Sequence, residues 1–136
     1  MHVTSESILS VNNLTKSVQV EDKTLALLQP LNLTVTAGES LAIVGSSGSG
    51  KTTLLSILAG LDLPSSGQVY LKNKPLHQFN EEQRSQVRAQ HVGFIFQQFL
   101  LINSLTALEN VMLPAELANM SDAQARGEAL LAQVGL

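Results

Sequence analysis

Residues 41–53 read Leu-Ala-Ile-Val-Gly-Ser-Ser-Gly-Ser-Gly-Lys-Thr-Thr, and this stretch decides the fold. It matches the pattern G-x-x-x-x-G-K-[ST], which is meaningful when a strand precedes it and a helix follows. We predict a buried strand at residues 40–44 and a helix at about residues 51–60, ending near Gly60. The residues between these two elements are therefore predicted to form a loop that encloses a phosphate group.

The loop has the chemistry that phosphate binding requires. Gly45, Gly48 and Gly50 can adopt positive φ and carry no Cβ, so backbone N–H groups can point inward. The following helix adds partial positive charge at its N-terminus. Lys51 is placed to reach the β- and γ-phosphates, and the Thr52 hydroxyl is placed to bind Mg²⁺. The alternative is a Gly/Ser loop that only joins two packed elements. The expected nucleotide-binding loop residues are Gly45, Ser46, Ser47, Gly48, Ser49, Gly50, Lys51, Thr52 and Thr53.

Composition and charge narrow the class of protein. The chain has 136 residues, enough for one domain with a core, and it has no cysteine for disulfides or thiolate metal sites. It lacks a run of about 18 apolar residues and a basic N-terminus followed by an apolar stretch, so we expect neither a transmembrane helix nor a signal peptide. The net charge of −3 and the scattered basic residues argue against nucleic acid as a partner.

Strands are predicted mainly in the first half of the chain. Partial alternation of apolar and polar residues indicates a strand at 8–14 and another at 25–35, interrupted at Gln29-Pro30. A Pro-Ser-Ser-Gly turn leads into a strand at 68–71. The apolar run at 92–96 predicts a second buried strand.

Helices are predicted in the second half. Asn80 and Thr106 are good N-caps for two of them, and Pro114 is expected to kink or end the second. Ser121 with Gln124 three residues later predicts a capping box for the last helix. Early strands, a phosphate-loop unit and then helices indicate an α/β fold with an added antiparallel β-layer.

Five stretches resemble the ATP-binding subunits of ABC transporters. They span residues 37–113, and their spacing follows the family pattern. Residues 60–62 and 93–97, with the Thr-Ala-Leu-Glu-Asn-Val segment, narrow the resemblance to the lipoprotein-release and macrolide-export branch and its YbbA-type subunits. The stretches are Ala37-Gly38-Glu39, the Walker A loop at 45–53, residues 58–62 with 64–67, residues 92–96 followed by Gln97 as the Q-loop, and residues 105–111.

The resemblance implies a P-loop NTPase fold, that of an ABC nucleotide-binding domain. Residues 1–99 would form the β-layer and phosphate-loop core, and residues 100–136 would begin the helical subdomain. The Leu-Ser-Gly-Gly-Gln signature, the Walker B strand with its catalytic glutamate and the H-loop do not occur in the 136 residues. We therefore expect the N-terminal part of one ABC ATP-binding domain, truncated at its C-terminus.

The resemblance also implies roles for two residues outside the loop. Gln97 would reach Mg²⁺ and the attacking water. Lys51 and Gln97 are then the expected catalytic residues, and Thr52 and Gln97 the expected metal ligands. The alternative for Gln97 is an ordinary polar residue at a strand end. Val18 would contact the nucleotide base where the family usually has an aromatic residue, and the alternative is a strand-end valine without a ligand.

The expected cofactors are ATP and Mg²⁺, and the expected activity of the full-length parent is ATP hydrolysis that powers an export or lipoprotein-release complex. Its partners would be a membrane permease subunit and a second ATP-binding subunit, at the cytoplasmic face of the membrane. Residues 100–102 would face the permease or belong to the core. The chain alone is expected to be inactive in hydrolysis and to self-associate. The alternatives are a non-hydrolysing nucleotide-binding fragment or another P-loop NTPase or kinase.

Overall fold

The computed structural model describes residues 6–136 and divides into two units. The first ends at Val92, and the second is Gly93–Leu136. The sequence-based boundary after residue 99 lies further along the chain. The elements are β1 (Ser7–Val20), β2 (Lys23–Thr36), α1 (Lys51–Leu58), β3 (Ser66–Leu71), β4 (Lys74–Pro75), a short 3₁₀ turn (Leu76–Gln78), α2 (Glu81–His91), α3 (Ala107–Leu117) and α4 (Ala123–Gln133).

The first unit contains a four-stranded antiparallel sheet in the order β2-β1-β3-β4. The strands predicted at 8–14, 25–35 and 68–71 are confirmed as parts of β1, β2 and β3. Pro30 lies inside β2 without ending it. The pairing register shifts there, because β2 takes an extra residue between the partners of Leu14 and Lys16. Such a bulge is one of the few places where a strand accepts proline.

The core of the first unit fixes α1 on the sheet. Val11 and Leu14 of β1, Val69 of β3 and Ile57 of α1 are almost completely buried. Burial of an aliphatic side chain of this size contributes roughly 1.5–3 kcal/mol. Since α1 begins directly after the phosphate loop, this packing also fixes one end of the loop. The buried cluster is completed by Leu54, Leu71, Leu76 and Val87.

Two helix N-termini are capped as predicted. Asn80 caps α2 in a capping box with Gln83, and Thr106 caps α3 in a capping box with Glu109. Pro114 does not end α3, which continues to Leu117. None of the helices within residues 6–136 has the length and apolar character needed to cross a membrane.

The predicted capping box of the last helix is wrong. The N-cap of α4 is Asp122, and its side chain makes no capping hydrogen bond. Gln124 Nε2 instead donates to Glu128 Oε1 at 2.8 Å, one turn further along α4. The amide therefore serves an i,i+4 pair on the helix surface and is not used as a cap.

The predicted strands at 40–44 and 92–96 are also wrong. Neither segment has strand structure. Ile43 and Val92 are partly buried against the core of the first unit, but Val44 is 87% exposed and Ile95 is fully exposed. A strand forms when its backbone groups pair with a neighbouring strand, which apolar composition alone does not provide. No strand formed by residues 6–136 pairs with either segment.

Candidate nucleotide-binding site

Lys51 is held against the phosphate loop by three hydrogen bonds. Its Nζ donates to the carbonyl oxygens of Gly45 and Ser46, each at 2.6 Å, and to Ser49 Oγ at 3.2 Å. An ammonium group has three donors, so these acceptors use all of them. A phosphate oxygen that binds Lys51 must therefore replace one acceptor. The Ser49 hydroxyl, at the longest distance, is the one most easily exchanged.

The N-terminus of α1 has no side-chain cap. Its N-cap is Gly50, and the first turn contains no acidic residue. The helices α2 and α3 differ, since a capping box and acidic residues occupy the start of each. No side chain accepts at the N-cap of α1, and the helix dipole gives this end partial positive charge. The start of α1 thus suits an anion.

Gly50 attaches the phosphate loop to β2. A Cβ built on Gly50 would lie 2.7 Å from the Leu27 carbonyl oxygen and 2.8 Å from Leu28 Cδ2. The φ of Gly50 is +92°, in the left-handed region. Space and conformation both require glycine here. The loop is also closed on itself, because a Cβ on Gly45 would lie 2.6 Å from Ser49 Oγ.

The loop offers a hydroxyl oxygen, that of Thr52, as a possible ligand for the Mg²⁺ ion of a magnesium nucleotide. Thr52 is exposed at the start of α1, so its hydroxyl is accessible. Within residues 6–136, no group of three or more His, Cys, Asp or Glu side chains could hold a metal ion. Mg²⁺ at this loop would combine the Thr52 hydroxyl with phosphate oxygens, a set of ligands that this ion accepts.

The remaining predicted site residues lie outside the loop. Val18 is partly exposed in β1, and its cross-strand partner in β2 is Leu25. Gln97 is exposed in the second unit, in the segment before α3 that has neither helix nor strand structure. The roles of both residues stay predictions.

Two arginines from α2 hold the C-terminal end of the loop helix, a contact that the sequence analysis missed. The Gly60 carbonyl oxygen accepts from Arg84 Nε at 3.1 Å and from Arg88 Nη1 at 2.6 Å. Glu81 accepts from both arginines, and these bonds, chiefly that from Arg88, hold the pKa of its carboxyl below the ordinary value. Cations are favoured at a helix C-terminus. The i,i+3 spacing of Glu81 and Arg84 indicates their ion pair within α2, but it carries no signal for the bonds to Gly60.

A second unpredicted contact ties the loop after α1 to β1. Lys16 Nζ lies 3.0 Å from Asp62 Oδ2 and donates to the Leu63 carbonyl oxygen at 2.7 Å. Burial raises the pKa of Asp62, but the Lys16 bond and the Leu63 backbone N–H together outweigh it, so the pKa is lowered. Ser65 Oγ also accepts from the Ser17 backbone N–H at 2.9 Å. Both ends of α1 are thus fixed to the β-layer or to α2.

Asn110 organises the segment before α3 in the second unit. Its Oδ1 accepts from the Ile102 backbone N–H at 2.9 Å, and its Nδ2 donates to the Thr106 carbonyl oxygen at 2.9 Å. Nδ2 also lies 3.2 Å from the carbonyl oxygens of Ile102 and Leu105. One amide therefore closes this segment onto the first turn of α3.

Comparison of the chain with known proteins shows the family to which it belongs. The family model described as ABC transporter matches residues 28–136, most of the chain. The chain belongs to the ABC transporter family. It is 53% identical over 134 residues to the uncharacterized ABC transporter ATP-binding protein YbbA of Escherichia coli (strain K12), covering 97% of this chain and 59% of that protein.

Two further relatives confirm the predicted branch. The lipoprotein-releasing system ATP-binding protein LolD of Legionella pneumophila (strain Lens) is 44% identical, with 97% of this chain and 59% of the relative covered. The macrolide export ATP-binding/permease protein MacB of Vibrio parahaemolyticus is 40% identical, with 97% of this chain and 20% of the relative covered. The chain thus spans 59% of the length of YbbA and LolD and 20% of the length of MacB.

A solved structure confirms the predicted fold class. The ATP-binding cassette MJ0796, in a dimeric post-hydrolysis state bound to ADP and Pi, matches with a TM-score of 0.86 at 36% identity. The match covers 94% of this chain and 57% of that one. The fold of this ABC chain is therefore that of a nucleotide-binding cassette with an antiparallel β-layer.

Proposed function

We propose that the chain binds Mg-ATP through residues 45–53 and is a nucleotide-binding part of an energy-coupling ABC ATPase. The observation that carries this proposal is the placement of the Lys51 ammonium, 2.6 Å from two loop carbonyl oxygens at the uncapped start of α1. A cation and free helical N–H groups at one place suit a polyphosphate. The ADP and Pi bound to the similar cassette MJ0796 support the same ligand class.

In the hydrolysis reaction, Lys51 and an Mg²⁺ ion on Thr52 would offset the charge that grows on the γ-phosphate. Gln97 would hold the ion and orient the attacking water. Residues 1–136 contain neither a Walker B strand nor a signature motif. We therefore propose that the chain alone binds ATP without steady hydrolysis, since positioning of the water and the trans contact are missing.

The proposed partners are a membrane permease subunit and a second ATP-binding subunit, at the cytoplasmic face of the membrane. Leu100 and Leu101 are exposed, and an apolar cavity of about 390 Å³ opens beside them in the second unit. Exposed apolar surface of this kind supports a docking role for residues 100–102. The names of LolD and MacB support a complex of the lipoprotein-release or export type. The cavity lining includes Leu101, Ile102, Leu105, Val111 and Leu131.

Thermal unfolding in rising Mg-ATP tests the proposal directly. A ligand that binds only the folded chain stabilises it by about 2.7 kcal/mol at 100 times its dissociation constant, so the melting temperature should rise with Mg-ATP concentration. Magnesium with adenosine is the control, because it lacks the phosphates and should not shift the transition. An unchanged melting temperature at millimolar Mg-ATP would contradict ATP binding by this chain.

A further inference from the structure

Met120 places a thioether at the connection between α3 and α4, in the second unit. Its backbone N–H donates to the Ala115 carbonyl oxygen at 2.9 Å, and the Asn119 N–H donates to the Glu116 carbonyl oxygen at 2.9 Å. With Asn119 at a φ of +56°, these two bonds form the Schellman motif that ends α3. The backbone of Met120 is therefore fixed, while its side chain is 36% exposed.

Arg126 of α4 directs its guanidinium at this sulfur. Its Nη1 lies 3.9 Å from Met120 Sδ, a distance at which a thioether accepts a weak hydrogen bond. Arg126 is the only basic residue in the stretch 93–136, which has four acidic residues. Among residues 6–136, however, no carboxylate forms an ion pair with Arg126. A strong donor is thus directed at a weak acceptor.

We propose that Met120 is a site of reversible oxidation, where hydrogen peroxide converts the thioether to a sulfoxide that Arg126 then binds. The sulfur lone pair attacks one peroxide oxygen, and the S–O bond forms as the O–O bond breaks. The other oxygen leaves as water after proton transfer, so sulfur loses the two electrons that the peroxide gains. Because an N–H···O bond spans about 2.7–3.2 Å, an oxygen on the Arg126 side of Sδ comes within reach of Nη1.

Oxidation at this position strengthens the turn between the two helices. A sulfoxide within an apolar contact disrupts packing, as it would at Met112, whose Cγ lies 3.0 Å from a Cβ built on Gly127 of α4. Met120 differs because its new oxygen meets a guanidinium, and a charge-assisted hydrogen bond replaces the weak bond to sulfur. The bond joins α4 to the residue that closes the end of α3. This inference does not depend on nucleotide binding.

Brief treatment of the folded chain with hydrogen peroxide, followed by peptide mass spectrometry, tests the site. Met120 should be oxidised at least about threefold faster than the partly buried Met112, because oxidation follows exposure. Amide hydrogen exchange then measures the turn, and residues 118–122 should exchange about three- to tenfold more slowly in the oxidised chain than in the reduced chain. Treatment with methionine sulfoxide reductase should restore the original exchange rate.

Two variants assign the effect to the proposed pair. Arg126→Leu removes every side-chain donor and should abolish the slowing of exchange, whereas Met112→Leu removes the other thioether in the second unit and should retain it. Equal oxidation rates at Met120 and Met112, or faster or unchanged exchange after oxidation, would overturn the proposal. Slowing that persists in Arg126→Leu, or that Met112→Leu loses, would overturn it as well. If Arg126→Leu does not fold, the oxidised and reduced wild-type chains still give the decisive comparison.

Discussion

Gly50 lies so close to Leu27 that a methyl group on the glycine would stand 2.7 Å from the leucine carbonyl oxygen. A strand residue far back in the sequence therefore fixes the conformation of the phosphate loop. The sequence motif indicates that a glycine is needed for phosphate binding, whereas the structure adds that the same glycine is needed for packing. Loop function and β-layer stability are thus coupled at one residue.

Three glycine substitutions distinguish the cost of a steric clash from the cost of a left-handed backbone conformation. Gly50→Ala should lower the free energy of unfolding by about 2–3 kcal/mol, because it combines a left-handed φ with a clash against backbone. Gly48→Ala should cost about 1 kcal/mol, because φ is +78° but no atom lies within 4 Å. Gly93→Ala has neither problem and should change stability by less than about 0.5 kcal/mol. Urea denaturation gives all three values, and equal values for Gly50 and Gly48 would contradict the Leu27 contact.

An aromatic residue at position 18 should restore the base contact that is usual in the family. Val18→Tyr provides a ring for stacking, and we expect it to tighten Mg-ATP binding by about 1 kcal/mol. Val134→Tyr, at an exposed valine after α4, is the matched control and should leave the affinity unchanged. Titration calorimetry measures the Mg-ATP affinity of both variants. A Val18→Tyr affinity equal to that of wild type would show that position 18 does not contact the base.

Acid should weaken the contact between α1 and α2. The arginine bonds lower the pKa of Glu81, so its contribution to stability is complete above the ordinary glutamate pKa of about 4.3 and is lost as pH falls through the lower folded-state pKa. Glu81→Gln should therefore be less stable than wild type at pH 7, with the difference shrinking below about pH 4. Glu82→Gln removes a neighbouring charge from the same first turn and serves as control. A pH-independent difference for Glu81→Gln would exclude this linkage.

Self-association is expected from the two segments that do not form strands. Within the described part of the chain, the segments 40–44 and 92–96 are apolar, largely exposed and not paired with any strand, and such segments recruit other chains. Light scattering after size exclusion at low micromolar concentration should show species larger than a monomer. Ile95→Lys should reduce them, and Leu130→Lys, on a helix surface, should not. A monodisperse wild-type monomer would show that these segments need no partner.

Local patterns predicted the elements that local interactions stabilise. The caps Asn80 and Thr106 were predicted because a cap bonds to backbone three residues away. The segment 92–96 was mispredicted as a strand, because strand formation depends on a pairing partner that the segment itself does not specify. The bonds from Arg84 and Arg88 to Gly60 were missed for a similar reason, since a carbonyl acceptor carries no sequence signal.

Binding of Mg-ATP to Lys51→Ala, compared with Lys72→Ala, tests the central claim most directly. Both variants lose one lysine charge, but Lys72 lies at the exposed turn between β3 and β4, whereas Lys51 lies in the phosphate loop. A hydrogen bond to a charged group contributes about 1.5–3 kcal/mol, so Lys51→Ala should bind Mg-ATP about 10- to 100-fold more weakly than wild type. Lys72→Ala should match wild type. Equal Mg-ATP affinity in wild type and both variants would contradict nucleotide binding by the phosphate loop.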